Sequence, residues 1–182
     1  MVNAERSGTA AEPDGTADAR RRARQAAAAV TDPELPMLTL ADLGVLREVE
    51  ADGEGGAVVA ITPTYSGCPA IGAIRADLDS ALRAAGFARV EVRTVLYPPW
   101  STDMITERGR RLLAEHGVSP PGPAPRSDGP MPLSLTPRRR EAHCPRCGSH
   151  TAELTSEFGS TACKALYRCT SCAEPFEHMK EI

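Results

Sequence analysis

The chain has 182 residues, 41% hydrophobic and 25% charged, with a formal net charge of −3. This is an ordinary soluble composition. Only seven side chains are aromatic, so any core is built mainly from Val, Ile, Leu and Ala, and a large single-core α/β enzyme is disfavoured. No run approaches the roughly 20 apolar residues needed to cross a bilayer. No secretory signal is apparent, so the expected location is cytoplasmic. Charge is uneven: residues 30–117 hold 8 Lys+Arg against 13 Asp+Glu, and residues 138–182 hold 7 against 6. Neither part is a basic footprint, so no nucleic-acid partner is expected.

Residues 1–18 are rich in Ala, Gly, Thr, Asp, Glu and Pro and read as a disordered arm. An Ala/Arg-rich stretch from Ala17 to Val30 suits a helix, ended by Pro33 and Pro36. Two β-rich runs, Val45–Glu50 and Ala57–Thr62, flank the turn Asp52-Gly53-Glu54-Gly55-Gly56 and predict a hairpin. From Pro69 to Ala85, Ile71, Ile74, Leu78 and Leu82 recur at helical spacing, and Gly86 supplies the stop. Val90–Leu96 alternates as a third strand, closed by Pro98-Pro99. Ser101 or Thr102 can cap a second helix to about His116, ended by Gly117. The expected fold class is α+β: a β-β-α-β-α domain with one sheet over residues 19–117, then a small β-rich module over 141–182. Residues 118–140 hold seven of the sixteen prolines and read as a linker.

The second module carries the strongest signal. Cys144-Pro145-Arg146-Cys147 and Cys169-Thr170-Ser171-Cys172 are two C-x₂-C pairs with 21 residues between them, close to structural zinc spacing. Each pair can wrap a tight turn that aims two thiolates at one ion, with Gly148 suited to the first turn, while the intervening chain returns as a hairpin. So small a module cannot stabilise itself by burial alone, and in a reducing compartment a metal outweighs disulfides. Cys163, between the pairs, reads as a small buried residue of a ribbon strand, with a redox thiol or an additional ligand as the alternatives. His143, His150 and His178 read as surface residues, because four sulfurs complete the coordination.

The lone cysteine of the first domain, in Ser66-Gly67-Cys68-Pro69, falls at a strand–loop–helix junction. Pro69 suits the first helical position, which makes Cys68 the expected N-cap, where free N–H groups would favour a thiolate. Such a thiol can be a nucleophile or a ligand of a metal or cluster. A cysteine hydrolase needs a base, and nothing in the sequence brings His116 beside Cys68. The acidic turn Asp32-Pro33-Glu34 can face the same loop, or can merely cap its own turn.

Asp32-Pro33-Glu34-Leu35-Pro36, Asp42-Leu43-Gly44 and Thr62-Pro63-Thr64-Tyr65-Ser66-Gly67-Cys68-Pro69 together resemble the metal–sulfur cluster assembly domain family over residues 20–117. Three further segments, Tyr97–Asp103, Cys144–Ser149 and Phe158–Cys169, resemble the D subunits of phenylacetyl-CoA epoxidase systems, and that likeness extends over nearly all of the chain after residue 20. The resemblance implies a reactive thiol or iron/cluster ligand at Cys68, supported by Asp32, Glu34, Thr64 and Gly67, and a zinc ribbon on Cys144, Cys147, Cys169 and Cys172. It also implies transient iron or an iron–sulfur cluster as cargo. The implied partners are epoxidase components, a di-iron oxygenase or an iron–sulfur reductase, with a homodimer sharing paired Cys68 residues as an open alternative. The implied role is maturation rather than oxygenation, which agrees with the lack of a Glu-x-x-His pair and of a G-x-G-x-x-G fingerprint. The competing readings are a Cys68-dependent thiol enzyme and a ribbon that only binds protein. A cluster instead of zinc on the four ribbon thiolates is a variant of the first reading.

Overall fold

The computed structural model describes residues 14–65, 67–124 and 142–182. Helix α1, Asp14–Ala28, starts ahead of the expected Ala17; the remainder of the expected arm lies outside the described residues. Ala19, Ala23 and Ala27 are buried at a spacing of four, a stripe of small side chains that lets α1 lie close on its neighbours. Strands β1 (Leu46–Ala51) and β2 (Gly56–Ile61) pair antiparallel. The chain then crosses through α2 (Ile71–Ala84) to β3 (Arg89–Thr94), which pairs parallel with β2. The sheet order is β1-β2-β3, with α1 and α2 packed on it and on each other.

The single helix expected from Ser101 to His116 is two pieces. Ser101 caps a 3-10 turn over Thr102–Met104, and Thr106 caps α3, Glu107–Glu115. The break is fixed from outside. Ile105 is extended, the Thr106 amide donates to the Asp42 carbonyl at 2.9 Å, and the Thr106 hydroxyl accepts from Gly109 at 3.0 Å. The Asp42 carboxylate accepts from Thr39, Thr106 and Arg108. Burial opposes its ionisation, but the Thr39 hydroxyl and amide together with Arg108 outweigh it and hold the carboxyl below its ordinary range.

Beyond α3 the two halves of the chain meet. Val118–Ser119, in the segment read as linker, forms β4 and pairs parallel with the ribbon strand β7, Pro175–Met179. The ribbon sheet runs β4-β7-β6-β5, where β5 is Ala152–Ser156 and β6 is Lys164–Cys169. Met179 is buried in the same core as Leu78, Phe87 and Leu113 of the first half. The chain end is pinned there too, because the Thr102 amide donates to the Ile182 carbonyl at 3.1 Å. The ribbon keeps a small core of its own: Ala142, Cys144, Ala165, Tyr167, Cys169 and Phe176.

His178 corrects an expectation. It is not on the surface but fully buried on the inward face of β7, with one ring nitrogen 3.0 Å from the Ser119 hydroxyl and the other 3.0 Å from the Glu181 carboxylate. It rivets β4 of the first half to the ribbon. His143 and His150 are exposed, as expected.

Candidate functional site

Two groups of thiols stand out. The first surrounds Cys68. On one side, the Asp32-Pro33-Glu34-Leu35 turn is closed by a bridge between Thr31 and Thr39 and by the Asp32 amide donating to the Leu38 carbonyl at 2.9 Å. Asp32 Oδ1 accepts from the amides of Glu34 and Leu35 at 2.8 and 2.9 Å, the Asx-turn chemistry that fixes such a corner. On the second side, the chain leaves β2 through Pro63 and Thr64. It then turns at Gly67, whose φ of +98° is a conformation that L side chains rarely adopt.

Cys68 is not the helix N-cap. That position belongs to Ala70, in helical geometry and without a side-chain cap, so α2 begins two residues later than Pro69 suggests. Nor is the thiol activated. Burial pushes it up and the Ala70 amide pulls it down, while the negative charges of Glu34 and Asp32 add to the rise, which prevails. The expected thiolate of a helix start is replaced by a half-buried neutral thiol. His116 caps the far end of α3, its Nδ1 bonded to the Leu112 carbonyl at 2.8 Å, and supplies no base.

The third side comes from the ribbon. Cys163 lies in the turn just before β6 instead of within a strand. It is 6% exposed, with its Sγ 3.1 Å from the Thr161 hydroxyl. Asp32, Glu34, Pro63, Thr64, Cys68 and Cys163 share the walls of one small cavity with about 20 Å³ of free volume, room for an ion or a single water. Desolvation raises Cys163 and Asp32 as well. The Tyr65 phenol is raised, first by desolvation, then by the charges of Cys68, Glu34 and Cys163. Among the described residues, the cation acting on Asp32 and Cys163 is Lys164, whose ammonium is bound to Glu177 at 2.7 Å. The cavity is thus a thiol- and carboxylate-lined space that disfavours negative charge until a cation enters it.

The second group is the ribbon's own. The Sγ atoms of Cys144 and Cys172 lie 3.7 Å apart, those of Cys147 and Cys169 3.6 Å apart, and all four fall within 4.8 Å of one another. A tetrahedral zinc with Zn–S near 2.3 Å requires sulfurs about 3.8 Å apart, so the cage fits the ion. The first turn is closed by the Gly148 amide on the Cys144 carbonyl at 2.9 Å, with Gly148 at φ +73°. The corresponding residue of the second turn is Ala173, also left-handed at φ +62°. Without a cation four such thiols cannot ionise together. Cys169, hydrogen-bonded first by the Cys172 amide, falls to about 6. For Cys172 the Glu174 amide pulls down, but burial and the three neighbouring sulfurs together push it up to about 12.

A small α/β unit with a half-buried cysteine before its crossover helix, joined to a four-cysteine ribbon, defines a cluster-assembly domain fused to a metal-binding module. Residues 20–94 match the family described as iron–sulfur cluster assembly protein, and residues 129–180 the family described as PaaD zinc beta ribbon domain. Among solved structures, a domain of unknown function, DUF59, from Bacillus anthracis has the same fold as the first unit. The TM-score is 0.50 at 30% identity, covering 54% of this chain and 93% of that one. A Staphylococcus aureus protein named Fe-S protein maturation auxiliary factor SufT is 35% identical over 91 residues, 50% of this chain and 99% of its own length. An Escherichia coli protein provisionally named as the D subunit of a 1,2-phenylacetyl-CoA epoxidase is 49% identical over 157 residues, 84% of this chain and 87% of its own. The chain belongs to the family of these epoxidase D subunits. Among the described residues no helix is long and apolar enough to cross a membrane.

Proposed function

We propose that this protein is an accessory maturation factor and not an oxygenase. It holds iron or an iron–sulfur cluster through Cys68 and delivers it to a metal centre of a multicomponent phenylacetyl-CoA ring epoxidase, either the di-iron oxygenase or the iron–sulfur reductase. The observation that carries this reading is the Cys68 cavity. Its thiol has no base beside it to activate a nucleophile, and it shares the cavity with Asp32, Glu34 and Cys163, a donor set that suits a cation. The family of the first unit and the maturation-factor names of its relatives support the same class of work.

Zinc is the ion we assign to the ribbon. Cys144, Cys147, Cys169 and Cys172 would hold it, and a closed four-thiolate set leaves no open position, so its contribution is structural. The role is tested in cells whose growth on phenylacetate depends on the epoxidase. Replacing Cys68 by Ser should abolish epoxidase activity while both proteins remain at normal levels. Full activity in that variant would sink the reading, and thiol-dependent turnover of a thioester by the purified chain would favour the enzyme alternative instead.

A further inference from the structure

The cavity beside Cys68 has a second thiol, and it comes from the other half of the chain. Cys163 is only 6% exposed and lines the same roughly 20 Å³ space as Cys68, Asp32 and Glu34. It is held there by one short segment, Met179-Lys180. Its carbonyl accepts from the Lys180 amide at 2.9 Å, the Lys180 ammonium reaches the Ala162 carbonyl at 2.8 Å, and Met179, the last residue of β7, is buried in the shared core. The Thr161 hydroxyl, 3.1 Å from the sulfur, completes the setting. Cys163 thus lines one cavity with a second cysteine and two carboxylates, a donor set that packing alone does not call for.

We propose that Cys68 and Cys163 together form a two-thiol site for a thiophilic divalent cation such as ferrous iron, so that the ribbon contributes a ligand to the cargo site and the site is incomplete without it. This rests on the reading of Cys68 as a cargo ligand. Binding forms two metal–sulfur bonds and releases the two thiol protons to solvent; no electron moves. Asp32 contributes a carboxylate whose Oδ2 has no hydrogen bond among the described residues, because both turn amides go to Oδ1. Glu34, half-buried at the rim, has no ion-pair partner there either. Together these charges attract the cation.

Among the described residues, the group of three or more donors gathered closely enough to hold an ion is the four ribbon cysteines, so the cavity beside Cys68 is not a preformed cage. Two thiols leave an ion short of four ligands, so the remaining coordination positions fall to the carboxylates or to a client's ligands. With the second thiol supplied by the same chain, two chains need not pair their Cys68 residues.

The test uses the full chain with zinc on its ribbon, kept without oxygen and titrated with Co(II), which binds thiolate sites more weakly than zinc and leaves the ribbon occupied. Thiolate-to-cobalt charge-transfer absorption then counts the sulfurs, with the cobalt-substituted ribbon as the four-thiolate standard. The wild type should show about half the standard's intensity. Cys163→Ser should show about a quarter and bind at least tenfold more weakly; the Cys68→Ser, Cys163→Ser double variant should show none. Zinc content and circular dichroism establish that each variant is folded, and the wild-type intensity tests the proposal without any variant. If Cys163→Ser keeps the wild-type intensity and affinity while Cys68→Ser loses both, the two-thiol site is wrong and the Cys68 reading stands. If the wild type binds no cobalt beyond the ribbon, both are wrong.

Discussion

The two thiol groups of this protein use the same ligand chemistry in opposite ways. In the ribbon, four sulfurs sit within 4.8 Å of one another on turns closed by their own backbone, and the set is complete. At Cys68 the thiols come from two distant parts of the chain and line one small cavity. The first arrangement is suited to retain an ion and so to stabilise a fold that lacks apolar mass. The second is suited to accept an ion and release it. The difference lies in geometry, because the sulfur chemistry is common to both, and the two are coupled. A metal on the four ribbon cysteines would also hold Cys163 in place, through β6 and β7.

That coupling can be broken most severely at the ribbon. Cys169→Ser, or removal of its metal by a strong chelator, removes binding free energy on the order of 10 kcal/mol from the folded ribbon. The expected outcome is loss of one zinc per chain and unfolding of residues 142–182. Because Met179 and the Ile182 carbonyl belong to the first half's core and edge, that half should lose melting temperature as well. A first half that melts unchanged would show that the two act independently.

Met179→Ala tests the junction with the metal left in place. The side chain is 1% exposed in the shared core, and emptying such a site costs about 2–5 kcal/mol. One cooperative transition, shifted down as a whole, is expected in calorimetry. Two separate transitions would mean that the ribbon and the first half are not one folding unit.

Acid offers a gentler probe of the same seam. Glu181 is held down at about 2 from its ordinary 4.5, since bonds from His178, its own backbone and the Gly122 amide outweigh the cost of burial. A carboxyl depressed on folding stabilises fully above its unfolded value, and that stability is lost as pH falls through the folded one. The wild type should therefore lose stability between about pH 4.5 and 2. After discounting for its partial exposure, the Glu181 share is about 1–2 kcal/mol. Glu181→Gln should flatten that part of the stability–pH curve; an unchanged slope would assign the acid sensitivity elsewhere.

The seam is also where sequence reasoning reaches its limit. The clustering of the four ribbon cysteines was legible because each pair is local, and only a hairpin is needed to join them. The strands and the α2 face followed from period-2 and helical spacing, with the ends misplaced by a residue or two. Cys68 was legible as the loop cysteine ahead of the crossover helix, but its setting was not. Pro69 suggested a helix start, yet the turn at Gly67 places Ala70 at the cap and the thiol in a desolvated wall. His178 could have been found, because it shares the inward face of β7 with Phe176. That four cysteines satisfy a metal says nothing of where a histidine points. Cys163 could not have been placed, since no local pattern links it to a residue 95 positions earlier in the chain. Its position depends on β4 joining the ribbon sheet, by two residues in a segment that reads as linker.

The smallest expected effect concerns the charge that separates the Cys68 cavity from the ribbon's thiols. In the ribbon a Cys172 amide pulls one sulfur down, to about 6 at Cys169, so a thiolate is present near neutrality. At Cys68 burial raises the thiol and Glu34 raises it further, so the neutral form persists to higher pH. With zinc on the ribbon protecting its four cysteines, alkylation by iodoacetamide should be slow at pH 7 and should climb only as pH passes the ordinary thiol range. Glu34→Gln removes one negative charge without removing bulk and should increase the rate at pH 7 by a few-fold, equivalent to less than about 1 kcal/mol. Asp32→Asn should act in the same direction, though its buried carboxyl already resists ionisation. Peptide mapping locates the adduct at Cys68 or Cys163. Rates that do not respond to either substitution would mean that the carboxylates do not set the charge of this cavity. The reluctance of its thiols to ionise would then be a matter of burial alone.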